Sequence, residues 1–241
     1  MNKRVRLSGT ILILMSVLLS GCLYPQDRLQ QNQAPYRDQI AAVQEAVNAF
    51  REDSGGLLPI QTRDMETPIY QKYPVNFKQI APRYIADPPG TAFESGGIYL
   101  YVLTDVEENP TVKLIDLRVA EKIQELKIRI EAYRQSKGYP PLKDVLGKNV
   151  LSLDYQKLGY KEPPQVKSPF TGQHLPFVMD RTGEIYVDYR LDLFQALQRE
   201  EESFSEGDDI RDILVKNSPF VPAFSLPYTI NEKNEPIFMA E

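Results

Sequence analysis

Residues 123–140 read Ile-Gln-Glu-Leu-Lys-Ile-Arg-Ile-Glu-Ala-Tyr-Arg-Gln-Ser-Lys-Gly-Tyr-Pro. Ile123, Leu126, Ile130 and Tyr133 fall three and four apart, which lines one side of an α-helix, and Gly138 followed by Pro140 and Pro141 ends it. Eighty-three positions earlier Ile40, Val43, Val47, Phe50, Arg51 and Gly55 match Ile123, Leu126, Ile130, Tyr133, Arg134 and Gly138 one for one. A shared spacing of this kind points to an internal repeat.

Each helix is followed by a Pro-containing connection and a hairpin pattern. In the first copy the connection includes Asp87-Pro88-Pro89-Gly90, and β-rich runs at 98–103 and 111–117 flank a loop at 104–110. In the second copy Ser168-Pro169-Phe170-Thr171-Gly172 precedes runs at 175–179 and 184–189, joined by the turn Asp180-Arg181-Thr182-Gly183. A third, divergent copy begins with Leu191, Phe194 and Leu197 and passes through Ser218-Pro219-Phe220. It ends in a hairpin pattern, 226–230 and 235–238. The fold class expected is α+β, built of tandem αββ units at 36–117, 118–190 and 191–241. A lone hairpin is marginal in water, so each needs its helix or a neighbour to cover its apolar face.

Upstream of the units the chain has the layout of an export signal. Lys3, Arg4 and Arg6 precede a short apolar core from Ile11 to Leu19, too short for a permanent membrane span. The run Leu19-Ser20-Gly21-Cys22 at its end resembles the bacterial lipobox. That resemblance implies cleavage before Cys22, attachment of diacylglycerol to its sulfur, and a lipid-anchored protein on the extracytoplasmic face of the cell membrane. Residues 1–21 are then the signal peptide, and 22–35 the lipidated Cys and a Gln/Asn/Pro-rich tether. Cys22 is the one site residue assigned. The partner it implies is the lipid bilayer, where two acyl chains hold stably and one does not.

Two wider resemblances rest on these motifs. The string Ile130 to Pro140, leading to a Pro-Gly turn and a small antiparallel sheet, is similar to the end of the long helix and the headpiece of type IV pilins and type II secretion pseudopilins. It implies an αββ fold for each unit. The lipobox and polar tether replace the prepilin cleavage site and exposed apolar helix, so it implies no fibre. Gly21-Cys22-Leu23-Tyr24-Pro25, Gly55-Gly56-Leu57-Leu58-Pro59-Ile60, Phe93-Glu94-Ser95-Gly96-Gly97 and the stretch 109–118 resemble YphF-type lipoproteins of Gram-positive spore formers. That resemblance implies an envelope location and carries over no functional residue beyond the lipidated Cys.

Composition narrows the chemistry further. The 241 residues carry a formal charge of −5, and loss of Lys3, Arg4 and Arg6 with the signal makes it −8, which argues against nucleic acid as a partner. One Cys, one His and no Trp leave no disulfide, His/Cys metal site or Cys–His nucleophile pair. Dinucleotide, nucleotide-triphosphate and hydrolase-elbow motifs do not occur. His174 reads as a surface or packing residue. Asp105-Val106-Glu107-Glu108-Asn109 reads as a solvated hairpin tip, without the glycine and terminal Glu of a calcium loop. The acidic run from Arg199 to Asp209 reads as a solvated helix end and is the best electrostatic surface for a basic partner. Tyr99, Tyr101, Phe177, Tyr186, Tyr189, Tyr228 and Phe238 lie on the hairpins and are expected mainly in the core. No catalytic, cofactor-binding or metal-binding residue is assigned. The expected function is non-catalytic: a protein-binding or structural component of the cell envelope whose partners are other envelope proteins. The alternatives are the solute-binding lipoprotein of an ABC importer and, behind it, a cell-wall-acting enzyme.

Overall fold

The periodic run from Ile40 forms helix α1, Tyr36–Asp53, which buries Val43, Ala46 and Val47. Gly55 and Gly56 both take positive φ, and the Gly56 amide returns to the Arg51 carbonyl at 2.8 Å, which closes the last turn. The computed structural model from which these elements are taken describes residues 36–199 and 204–239. The signal segment, Cys22, the tether and Glu200-Glu201-Glu202 lie outside the described residues.

After α1 the chain runs irregularly, with 3₁₀ turns at Ile69–Gln71 and Phe93–Ser95 and a one-turn helix α2, Phe77–Ile80. This stretch is tied to the hairpin beyond it, since Val75 N–H donates to the Tyr101 carbonyl at 2.9 Å and Leu103 N–H to that of Tyr73 at 2.8 Å. The hairpin is β1, Tyr99–Thr104, against β2, Thr111–Asp116, antiparallel from Tyr99↔Asp116 to Thr104↔Thr111. Its strands are buried on both faces: Tyr101 meets the Phe77 ring at 5.6 Å, and Val102 and Ile115 belong to a cluster with Tyr70 on the other side.

Asp116 ends β2 and caps α3, Leu117–Lys137, by accepting the Arg118 amide. Val119, Ile123, Leu126 and Ile130 are its buried stripe, and Gly138 at φ 83° ends it in the left-handed region. The expected second hairpin is present as β7, Phe177–Asp180, and β8, Ile185–Val187. It is half of a larger sheet, however. The Pro-rich connection supplies β3, Leu142–Gly147, and β4, Val150–Leu153, giving an antiparallel order β3-β4-β7-β8. The register of β3 on β4 shifts between Leu142 and Val145 and again before Gly147, so the strand has no steady two-residue alternation for a sequence pattern to show. A two-residue ladder pairs β5, Val166–Lys167, with β6, His174–Leu175, around the Ser168-Pro169-Phe170 turn.

The C-terminal segment holds helices α4, Arg190–Leu197, and α5, Asp212–Lys216, and the hairpin β9, Tyr228–Ile230, with β10, Pro236–Phe238. Its elements pack with both preceding parts rather than apart from them. Phe220 bridges Leu114 of β2 in parallel, with Leu114 N–H donating to the Pro219 carbonyl at 2.8 Å and Val221 N–H to that of Leu114 at 3.1 Å. A few residues on, the Phe224 carbonyl accepts Val187 N–H of β8 at 2.8 Å. Phe224 packs on both apolar clusters, the one around Val102 and Ile115 and the larger one beneath α3 and the four-stranded sheet. The fold is thus mixed α and β, with five α-helices and small antiparallel sheets among the described residues, which from Arg37 onward form one compact unit.

Candidate functional site

The residues singled out by sequence are dispersed. His174 is exposed on the two-residue ladder opposite Lys167. The 105–109 loop is a tight turn, with Asp105 at φ 50° and the Asn109 amide on the Asp105 carbonyl at 3.1 Å. Among the described residues no group of three His, Cys, Asp or Glu side chains is placed to hold a metal. Of the acidic run, Asp208 accepts the Ser205 amide at 2.8 Å and Asp209 is held by Arg211. Six of the seven hairpin aromatics are buried, and Tyr186 is partly so. Among the described residues no helix is long and apolar enough to cross a membrane.

Hydrophobic periodicity does not reveal a motif written three times: Asp116-Leu117-Arg118, Asp188-Tyr189-Arg190 and Asp209-Ile210-Arg211. In every copy the carboxylate accepts the backbone N–H of the Arg two residues on and grips its guanidinium through Nε and one terminal nitrogen. The first two copies stand where a strand hands over to a helix, the third just ahead of α5. The forked geometry fixes the corner at which the chain turns. Arg190 also covers the Phe238 ring at 4.6 Å, and Arg211 the Tyr70 ring at 5.2 Å. The signal was present in the sequence as a recurring Asp-x-Arg.

Two polar clusters join segments far apart in the chain, the first partly buried and the second centred on a buried carboxylate. Tyr70, on the Ile69–Gln71 turn, donates to Asp212 of α5 at 2.6 Å, and burial, then Asp212, pushes its phenol well above the usual tyrosine range. Lys113 sends its ammonium to the Val215 and Ser218 carbonyls at 2.8 and 2.7 Å, and burial pulls its pKa down. In the second cluster Asp192, fully buried on α4, accepts from Ser168 Oγ at 2.6 Å and Thr171 Oγ1 at 2.5 Å. Ser168 Oγ in turn accepts the Phe170 and Thr171 amides. Burial raises the Asp192 pKa and the two hydroxyls pull it back. These groups are occupied in holding the Ser-Pro-Phe turn to α4, and their chemistry is positional.

The surface offers grooves. One of about 530 Å³ runs between α3 and the sheet, its floor formed by Ile130, Leu142, Leu151 and Met179. Its rim charges are mutually satisfied, with Lys127 on Glu184 at 2.5 Å and Arg134 on Glu131 at 3.1 Å. A second, of about 430 Å³, lies under Phe93, which is 63% exposed. Phe93 stands on a stiff loop: Gly96 caps it at φ 80°, and a Cβ on Gly97 would lie 2.1 Å from the Thr91 carbonyl. An exposed aromatic held rigidly over an apolar hollow is the kind of feature that anchors protein contacts.

The architecture defines the chain as a mixed α/β protein of small antiparallel sheets. Residues 36–116, from the first residue of α1 to the last of β2, match the model of the YphF family N-terminal domain, which supports a YphF-type family. No curated protein and no solved structure matches the chain.

Proposed function

We propose that the protein is a membrane-anchored extracytoplasmic lipoprotein, non-catalytic, that binds or organises other proteins of the cell envelope. The observation that carries this is the Leu19-Ser20-Gly21-Cys22 motif at the end of a short apolar core behind Lys3, Arg4 and Arg6. The YphF match over residues 36–116 is consistent with it. The folded part descends from tandem αββ units, each a helix, a Pro-rich connection and a hairpin. The triple Asp-x-Arg clamp and the paired Ser-Pro-Phe turns, in which Ser168 and Ser218 each accept the amide of the following Phe at 3.0 Å, support that descent.

Cys22→Ala tests the anchor. The substituted chain is expected to stay unprocessed and to take up no labelled fatty acid, and incorporation equal to that of the native chain would rule the anchor out. Cross-linking in intact cells, followed by affinity capture, tests the partner. One or two envelope proteins recovered with the native chain and lost with Cys22→Ala are expected, whereas importer permease subunits would favour a solute-binding role instead.

A further inference from the structure

The turn after β4 builds a small concave site with an aromatic wall and a polar rim. Asp154 starts it by accepting the Lys157 amide, Leu158 plugs it into the core, and Gly159 at φ 80° lets the chain double back so that Tyr160 N–H reaches the Tyr155 carbonyl at 3.0 Å. Tyr155 and Tyr160 meet edge to face at 6.3 Å and line a hollow of about 260 Å³. Both hydroxyls are tied inward: Tyr155 donates to the Phe177 carbonyl at 2.9 Å and Tyr160 to Glu125 at 3.1 Å, while Arg129 braces the Tyr160 ring at 4.5 Å. The hollow is therefore offered rings that cannot swing away, and little phenol chemistry.

Its rim is different. The side chains of Gln156, Lys161 and Glu162 are exposed and have no partner among the described residues. The charged lining is balanced, Lys143 and Lys161 against Asp154 and Glu162, which disfavours a phosphate or carboxylate ligand. Asp154 is itself paired with Lys157 at 3.1 Å.

We infer that this hollow is a carbohydrate-binding site for neutral pyranose chains. Sugar rings present C–H faces that stack on fixed aromatic rings and hydroxyls that both donate and accept. An amide, an ammonium and a carboxylate around two immobilised tyrosines supply that mixture. The volume lies below the roughly 300 Å³ floor of drug-sized ligand sites and suits one or two sugar rings. Rings fixed beforehand lose no side-chain freedom on binding. The site goes beyond the protein-binding role proposed above and is independent of the anchor, because binding is read on the folded chain in solution.

The test is titration calorimetry of the full-length protein in detergent with a β-1,4-linked N-acetylglucosamine tetramer and with cellotetraose, alongside co-sedimentation with purified wall glycan. Saturable binding of at least one tetrasaccharide is expected. Gln156→Ala, which removes an exposed amide and leaves the melting temperature unchanged, is expected to weaken it by about fivefold to tenfold, the worth of one hydrogen bond. Tyr160→Leu is expected to weaken it further, while Tyr160→Phe, which keeps the ring and its Arg129 brace but loses the tie to Glu125, weakens it less than Tyr160→Leu does. Absence of saturable binding to both sugars and to wall glycan overturns the assignment. So does binding that neither Gln156→Ala nor Tyr160→Leu changes. Retention on wall stem peptides freed of glycan, without binding to the sugars, overturns it in favour of a peptide ligand.

Discussion

The Asp192 carboxyl shows how a buried charge is kept in this protein. It has two hydroxyl donors, and the Ser168 hydroxyl is itself aligned by backbone amides, so that its hydrogen points toward the carboxylate. Ser168→Ala removes one donor and strands the Phe170 and Thr171 amides, at a cost of about 2 kcal/mol near neutral pH. The cost has a sign in pH. Burial already lifts the Asp192 pKa above its ordinary 3.8, so folding binds a proton in the window between that value and the raised one, and this group's contribution to stability grows as pH falls through the window. Losing the Ser168 hydrogen bond lifts the folded pKa further. The penalty of Ser168→Ala is therefore expected to shrink on acidification, as the protonated carboxyl no longer needs the donor. Urea unfolding of native and Ser168→Ala protein across pH 4 to 7 checks this, and a penalty that grows toward low pH would contradict it.

At the scale of elements, what was legible in the sequence tracked the strength of its periodicity. α1 and α3 showed themselves because Val43, Val47, Leu126 and Ile130 face inward at helical spacing and glycines mark both ends. The β1–β2 and β7–β8 hairpins were legible from apolar runs about a turn, to within a residue or two. β3 was not, since its bulges break alternation and its exposed Lys143, Asp144 and Val145 read as loop. Of the Asp-x-Arg clamps, which hold the corners, the residues were visible but spaced irregularly, at 116, 188 and 209. The tyrosine hollow was invisible because it joins β3, the end of β4 and the 154–163 turn. Glycines at two such corners make a contrasting pair. Gly138 sits at φ 83° with open space around it, so Gly138→Ala is expected to cost about 1 kcal/mol of backbone strain. Gly97→Ala drives a methyl into the Thr91 backbone at 2.1 Å, and about 3 kcal/mol or more is expected. Thermal melts of the two single variants, ranked in the opposite order, would refute this account of the 91–97 loop.

For the whole molecule the decisive segment is 204–239, because it bonds both to the chain ahead of residue 117 and to the four-stranded sheet beyond it. Toward the first hairpin it supplies the Pro219 carbonyl and Val221 amide to Leu114 and the Val215 and Ser218 carbonyls to Lys113, and toward the 69–71 turn Asp212 to Tyr70 and the Ala223 carbonyl to Gln71 at 2.6 Å. Toward the four-stranded sheet it supplies Phe224 and the buried Tyr228, whose hydroxyl accepts Tyr189 N–H at 2.9 Å and donates to the Val187 carbonyl at 3.2 Å. A segment so placed is expected to make these two apolar clusters unfold as one. Tyr228→Phe deletes only that hydroxyl and leaves two buried backbone groups unpaired, at about 2 kcal/mol. If the segment is the coupling, the loss is felt at a distance. Amide exchange at Leu114, which donates to Pro219, is expected to accelerate together with that at Val187, which donates to Phe224, by the same factor, while unfolding stays a single transition. Faster exchange at Val187 with Leu114 unchanged would mean that the first hairpin keeps its own stability, and that the C-terminal segment rests on it without binding the two parts into one cooperative unit.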